Sequence, residues 1–171
     1  AMGTSQNPPN TVLIGIALFL TLFIMNPVLT QIQQTAYEPY TRQEITQEEA
    51  VDRASVPLKE FMLRNTESSS LTLFCDLAGV DKPATDEEAM ELSMRVIIPS
   101  YMTSELKAAF QIGFFLYIPF MLIDIVVSST LMSMGMIMLP PAMISMPFKL
   151  LLFITVDGWQ LLFATLAQGF R

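Results

Sequence analysis

Residues 121–149 read MLIDIVVSSTLMSMGMIMLPPAMISMPFK, and the way this stretch turns decides the fold. Six of the 13 methionines lie between Met132 and Met146. Asp124 is the single charge in the apolar run 108–148. The Pro140-Pro141 pair cannot continue a helix and marks a reversal between two apolar arms. Methionine recurs at every second position from Met132 to Met138. On a helix this spacing spreads the thioethers over two faces. In a loop it gathers them on one side, and Gly135 favours a loop. Methionine is unbranched and fits irregular surfaces, so the stretch suits either ordinary apolar packing or a deformable seal.

The arm before the tip, TSELKAAFQIGFFLYIPFMLIDIVVSSTLMSMG, predicts a long helix capped by Thr103, with weak points at Gly113 and Pro119. The arm after it, MISMPFKLLLFITVDGWQLLFATLAQGF, runs on to Phe170. A hairpin folded at Pro140-Pro141 sets Asp124 opposite Asp157 and Lys149 opposite Met132. Two carboxylates at one depth suit a proton-sharing aspartyl pair. Their flanks, IDIV and VDGW, match no protease signature, and acids inside a membrane more often mark interior contacts or water-lined paths. In this register Lys149 stands roughly 12 Å along the axis from Asp124, and Glu105 roughly 40 Å away. A buried charge needs compensation. Lys149 is therefore expected to meet its acid through a bend at Gly113 or Pro119, or in a neighbouring copy.

Of the 171 residues, 52% are hydrophobic and only 15% charged, and there is no histidine. Soluble domains carry about 25% charged residues, so the composition is that of a membrane protein. The charges are segregated. Fourteen of the 16 acids and seven of the nine basic residues lie between Glu38 and Lys107, which places the net charge of −7 in a polar insert. An acidic insert does not favour nucleic acid, whose binding needs Lys and Arg on the phosphates. Cys75 has no second cysteine to pair with and reads as a small buried hydrophobe. Metal clusters, Cys/His or Ser/His pairs and glycine-rich phosphate loops are absent from the sequence, so no catalytic residues and no cofactor are expected.

The chain begins AMGTSQNPPN, without an initiator Met or a basic leader, and is expected to be a processed or partial chain. Residues 11–30, TVLIGIALFLTLFIMNPVLT, are long enough to cross a bilayer core, with Asn26-Pro27 expected to kink or end the helix. This helix is either a plain anchor or packs closely through Gly15 and Ala17. Residues 37–46 read as a linker. Thr46 with Glu49, and Thr85 with Glu88, read as capping boxes. Pro57 is expected to split or bend the helix that follows Thr46, whose apolar stripe is Leu58, Phe61, Met62 and Val56. Residues 68–70, SSS, read as a break before a short helix stopped by Gly79. RVIIPSYM reads as extended or as a loop, because Pro99 disfavours helix before it. The expected class is all-α: long membrane-associated helical hairpins with a small helical polar insert. Its divisions are 1–37 (polar lead and apolar helix), 38–102 (acidic insert) and 103–171 (apolar hairpin with the methionine tip).

The blocks PPNTVLIGIALFLTLFIM, VPLKEFMLRNT and IIPSYMTSELKAAFQIGFFLYIPFMLIDIVVSSTLMSMGMIMLPPAMISMPFKLLLFITVDGWQLLFATLAQ closely resemble the FliP family of the bacterial flagellar export gate. That family is similar to the SctR proteins of virulence type III secretion. The resemblance implies a protein-export component and not an enzyme. It implies a homo-pentamer joined by FliQ and FliR in a closed channel, in contact with other export-apparatus proteins and unfolded export substrates. The implied location is the inner membrane at the flagellar basal body, with the insert in the periplasm. Family helices that look transmembrane are largely raised out of the bilayer, and family members carry a leader and a further apolar segment. The family's methionine gasket, MGMMM, falls on Met134, Gly135, Met136, Ile137 and Met138, with Ile137 stiffening the middle. Glu105, Asp124, Lys149 and Asp157 are expected to make inter-helix or inter-subunit charge contacts. The alternative is an ion or small-solute channel or transporter with Asp124 and Asp157 in its path, and a third possibility is a scaffold without a pore.

Overall fold

A computed structural model describes residues 8–136 and 138–170. Among these residues the chain is entirely helical, joined by turns. The helices are α1 (Asn10–Ile32), α2 (Glu38–Thr41), α3 (Gln47–Arg64), α4 (Ser68–Ala78), α5 (Asp86–Glu91), α6 (Met94–Ser133), α7 (Pro141–Thr155) and α8 (Gly158–Gly169). A π-helical turn, Gln33–Tyr37, joins α1 to α2. The chain divides into two compact units. One comprises Ala1–Leu18 with Ala109–Gly169, the other Phe19–Ala108 with Phe170–Arg171. Asn10–Thr41 and Met94–Ser133 are long and apolar enough to cross a membrane.

Proline is the residue whose effect the sequence misstates. Pro27 and Pro57 lie inside α1 and α3, and Pro147 lies inside α7. Of the expected kink or stop at Asn26-Pro27 and the expected split or bend at Pro57, the stop and the split do not occur, since α1 and α3 run on past these prolines. RVIIPSYM is not extended but forms the first turns of α6, so Thr103 lies inside that helix and does not cap it. The helix also runs through Gly113 and Pro119. Each proline removes one N–H donor, and the ladder resumes on either side of it. Packing offsets the loss where the segment is buried: Pro57, Val96, Ile97 and Ser100 are all buried. The linker expected at 37–46 is shorter than predicted, since helix persists to Thr41. SSS is the first turn of α4 and not a break.

The caps follow the sequence more closely. Thr46 accepts the N–H of Glu49 at 3.2 Å, while the Glu49 carboxylate turns to Arg53. Thr85 accepts the N–H of Glu88, whose carboxylate reaches back to the N–H of Ala84 at 2.6 Å. Gly79 ends α4 in the left-handed region (φ +67°), with its N–H on Asp76 and the N–H of Val80 on Cys75. This pair of hydrogen bonds satisfies carbonyls that a helix end otherwise leaves unpaired.

In the unit of residues 19–108, Ala36, Cys75, Ile97 and Ser100 are buried, and Cys75 and Ile97 are completely enclosed. Burial pushes the Cys75 thiol up, consistent with a packing role. Phe61 of α3 packs edge-on against Tyr101 of α6, whereas Val56 faces outward. Lys59 donates to the carbonyls of Met90 and Leu92 at 2.9 and 2.8 Å, closing the C-terminal end of α5 with a cation. Ser104 accepts the N–H of Glu67, and Lys107 grips both Glu67 carboxylate oxygens at 2.7 Å, fastening the start of α4 to α6.

In the unit that holds residues 109–169, α7 and α8 do not form one arm. They meet at a 60° bend. Asp157 sits there at φ +49°, and its carbonyl accepts the N–H of Leu161 to start α8. Gly158 is buried with the Phe153 ring where a Cβ would stand. Phe153 packs against Phe120 and Trp159, and Trp159 stacks on Phe163. VDGW is therefore a joint, not the middle of a straight helix.

Candidate functional site

The site is the α6–α7 hairpin and its tip. Gly135 ends α6 at φ +74°, with its N–H on the Met132 carbonyl and the N–H of Met136 on the Leu131 carbonyl, both at 3.0 Å. Glycine reaches this region without the Cβ penalty, so the helix stops here and the methionines after it lie in a loop. Pro140 leads into α7 with extended backbone, and Pro141 takes its first position, where a missing N–H costs nothing. Met134, Met136 and Met138 are exposed, Met138 at 97%. Ile137 lies outside the described residues. Met132 remains on the last turn of α6 and is also exposed.

Behind the tip, α7 buries Ser145, Lys149 and Phe153, a stripe at i, i+4 and i+8. Lys149 donates to Asp124 Oδ2 at 2.6 Å, and Ser145 Oγ donates to Oδ1 at 2.6 Å. One turn earlier on α6, Phe120 meets Phe153. The carboxylate is thus held on both oxygens by one face of α7. The Lys149 side chain is 5% exposed and that of Asp124 32%.

Two expectations are overturned here. Lys149 needs neither a bend nor another copy to find its acid, because Asp124 of the same chain supplies it. Asp124 does not face Asp157 but residues 145 and 149, about two turns or ~12 Å short of it on the helical rise. The reversal lies in the loop after Gly135, not at the Pro140-Pro141 bond, and this shifts the register by eight residues. Asp124 and Asp157 are therefore not a facing carboxylate pair that could share a proton. Asp157 is exposed at the α7–α8 joint, and Glu105 is half-buried on α6. Neither forms an ion pair among the described residues. Sequence reasoning passed over Ser145, though its spacing from Lys149 was the available signal. Gly158 gave no sequence signal of the ring beside it. No group of three potential ligands is placed to hold a metal among the described residues.

A match to the FliP family covers residues 1–166. The chain belongs to the FliP family. Among FliP relatives, the flagellar biosynthetic protein FliP of Pectobacterium carotovorum is 52% identical over 99% of this chain and 65% of its own length. The protein of the same name from Bacillus subtilis is 49% identical over 99% of this chain and 76% of its own length. That from Aquifex aeolicus is 46% identical over 100% and 71%. The chain spans about two thirds of the Pectobacterium FliP and 44% of a Buchnera aphidicola FliP.

Proposed function

We propose that this chain is a core subunit of the flagellar type III protein export gate, without enzymatic activity. The observation that carries this is the family match along nearly the whole chain, to proteins named for flagellar biosynthesis. The gate is a homo-pentamer closed with FliQ and FliR. It sits in the inner membrane at the basal body, with the acidic insert in the periplasm, meets other export-apparatus proteins and passes unfolded export substrates. Met134, Met136, Ile137 and Met138 form its gasket. Exposed thioethers at the turn between α6 and α7 support the seal, since such side chains conform to a passing chain without a fixed shape. Asp124 and Lys149 hold the hairpin, while Glu105 and Asp157 remain available for contacts with other subunits.

Ion conductance of membranes carrying the assembled gate tests the seal. Replacing Met134, Met136 and Met138 by Ala is expected to raise leakage. Unchanged leakage and unchanged export would leave a scaffold without a pore. The mass of the detergent-solubilised complex tests the assembly, and a monomer under conditions that preserve related complexes would overturn it.

A further inference from the structure

We infer that Ser145 sets the register of the α6–α7 hairpin and thereby the height at which the methionine tip is presented. The ion pair alone cannot do this. A lysine side chain is long and pivots at every methylene, so it can follow a carboxylate through about one helical turn, 5.4 Å, of sliding. A serine hydroxyl sits one bond from Cβ and cannot. Ser145 is completely buried, and its hydroxyl meets Asp124 Oδ1 at 2.6 Å, with the Ala142 carbonyl of its own helix at 3.3 Å. Lys149 occupies the other oxygen of the same carboxylate.

Sliding α7 by one turn in either direction separates the two grips. In one direction Asp124 meets Pro141 and Ser145, in the other Lys149 and Phe153. Only the observed register gives the carboxylate a hydroxyl and an ammonium together. Lys149 supplies the attraction and Ser145 the precision. Asp124 lies nine residues before the end of α6, about 14 Å from the loop at the helical rise, so an error in register is transmitted directly to the tip. Ser145 is a positioning residue, acting through Asp124. Its consequence for sealing rests on the gasket proposed above.

The test places spin labels at Val126 and Ile154, exposed positions at different heights on the two helices, in the full chain embedded in lipid nanodiscs. Cys75 is fully enclosed and stays in place. The parent and Ser145→Thr, which keeps the hydroxyl, are expected to give one narrow distance. Ser145→Val, with the shape of threonine but no hydroxyl, and Ser145→Ala are expected to add a second population displaced by up to about 5 Å, one turn. Ser100→Ala removes an equally buried hydroxyl in the other unit and is expected to leave the distance single. Identical distributions for the Thr and Val variants would overturn the assignment, as would an unchanged distribution for Ser145→Ala. Leakage separates the two proposals. A split distance with no added leakage leaves the register role standing and removes the seal. A single distance removes the register role whatever the leakage.

Discussion

Lys149 and Asp124 differ in what surrounds them, and that difference predicts an asymmetry. Lys149 is enclosed, whereas a third of Asp124 reaches the surface. Removing Asp124 strands an ammonium with no exit. Removing Lys149 leaves a carboxylate that Ser145 still binds and that its exposed side can solvate. Asp124→Ala is therefore expected to cost ~3 kcal/mol, the range seen on breaking buried pairs, and Lys149→Met clearly less. Replacing both with apolar residues should come close to the parent, because the desolvation of both charges vanishes with their attraction. Denaturant unfolding of the four variants in a double-mutant cycle checks this, and equal losses for the two single variants would contradict it. Both charges were visible in the sequence. Their meeting was not, because the position of the reversal depends on where Gly135 stops α6, and a shift of a few residues there moves every pairing behind it.

At the level of the helices, glycine mattered more than proline. Among the described residues four helix ends close with a left-handed residue, at Gln43, Gly79, Gly135 and Asp157, each satisfying a carbonyl of the last turn. Gly79 was legible as a stop because short helices commonly end on glycine. The prolines inside helices were read as bends or breaks, since local propensity takes no account of the surrounding ladder and packing. The α7–α8 joint shows the limit best. Its bend depends on Gly158 giving its Cβ space to a ring five residues earlier, and that ring is held by Phe120 and Trp159. Gly158→Ala is expected to destabilise by ~1–3 kcal/mol, the usual range for overpacking, and to release the 60° bend. Near-ultraviolet circular dichroism of Trp159 would lose intensity as the stack loosens. Asp157→Gly, which only relieves a left-handed residue, should be neutral or stabilising by up to ~1 kcal/mol. A large loss there would mean that the aspartate side chain itself holds the joint.

On the scale of the whole molecule, charge and apolar surface are kept apart. Nearly all charges fall within residues 38–107, so acid should act first on the unit of residues 19–108. The Lys107 ammonium beside Glu67 holds its carboxyl below the usual carboxylate range. A depressed folded value means that this carboxylate favours the folded state fully above the unfolded pKa, about 4.3, and that the contribution fades as pH falls through the lower folded value. The protection of the amides at the start of α4 against exchange, taken relative to the intrinsic rate at each pH, should therefore fall below about pH 4 in the parent. In Lys107→Met that protection should already be lower at neutral pH. A pH-independent start of α4 in the parent would contradict the role given to this clasp. The 40 residues of α6 measure about 60 Å, twice a ~30 Å hydrocarbon core. Its first turns belong to the charged unit, so the whole helix is not a simple span.

The sequence by itself determined the class, the segregation of charge, the capped starts of α3 and α5, the glycine stop of α4 and the methionine-rich turn. These depend on composition and on residues within a few positions of one another, where propensity and periodicity act. Only the tertiary structure decided which charges meet, where α7 bends and which prolines are tolerated. The charge pairings depend on contacts between residues 21 to 40 positions apart, such as Ser145 with Asp124 and Lys107 with Glu67, and the bend depends on a Phe153 ring that Phe120, 33 positions earlier, helps to hold; no local pattern carries those separations.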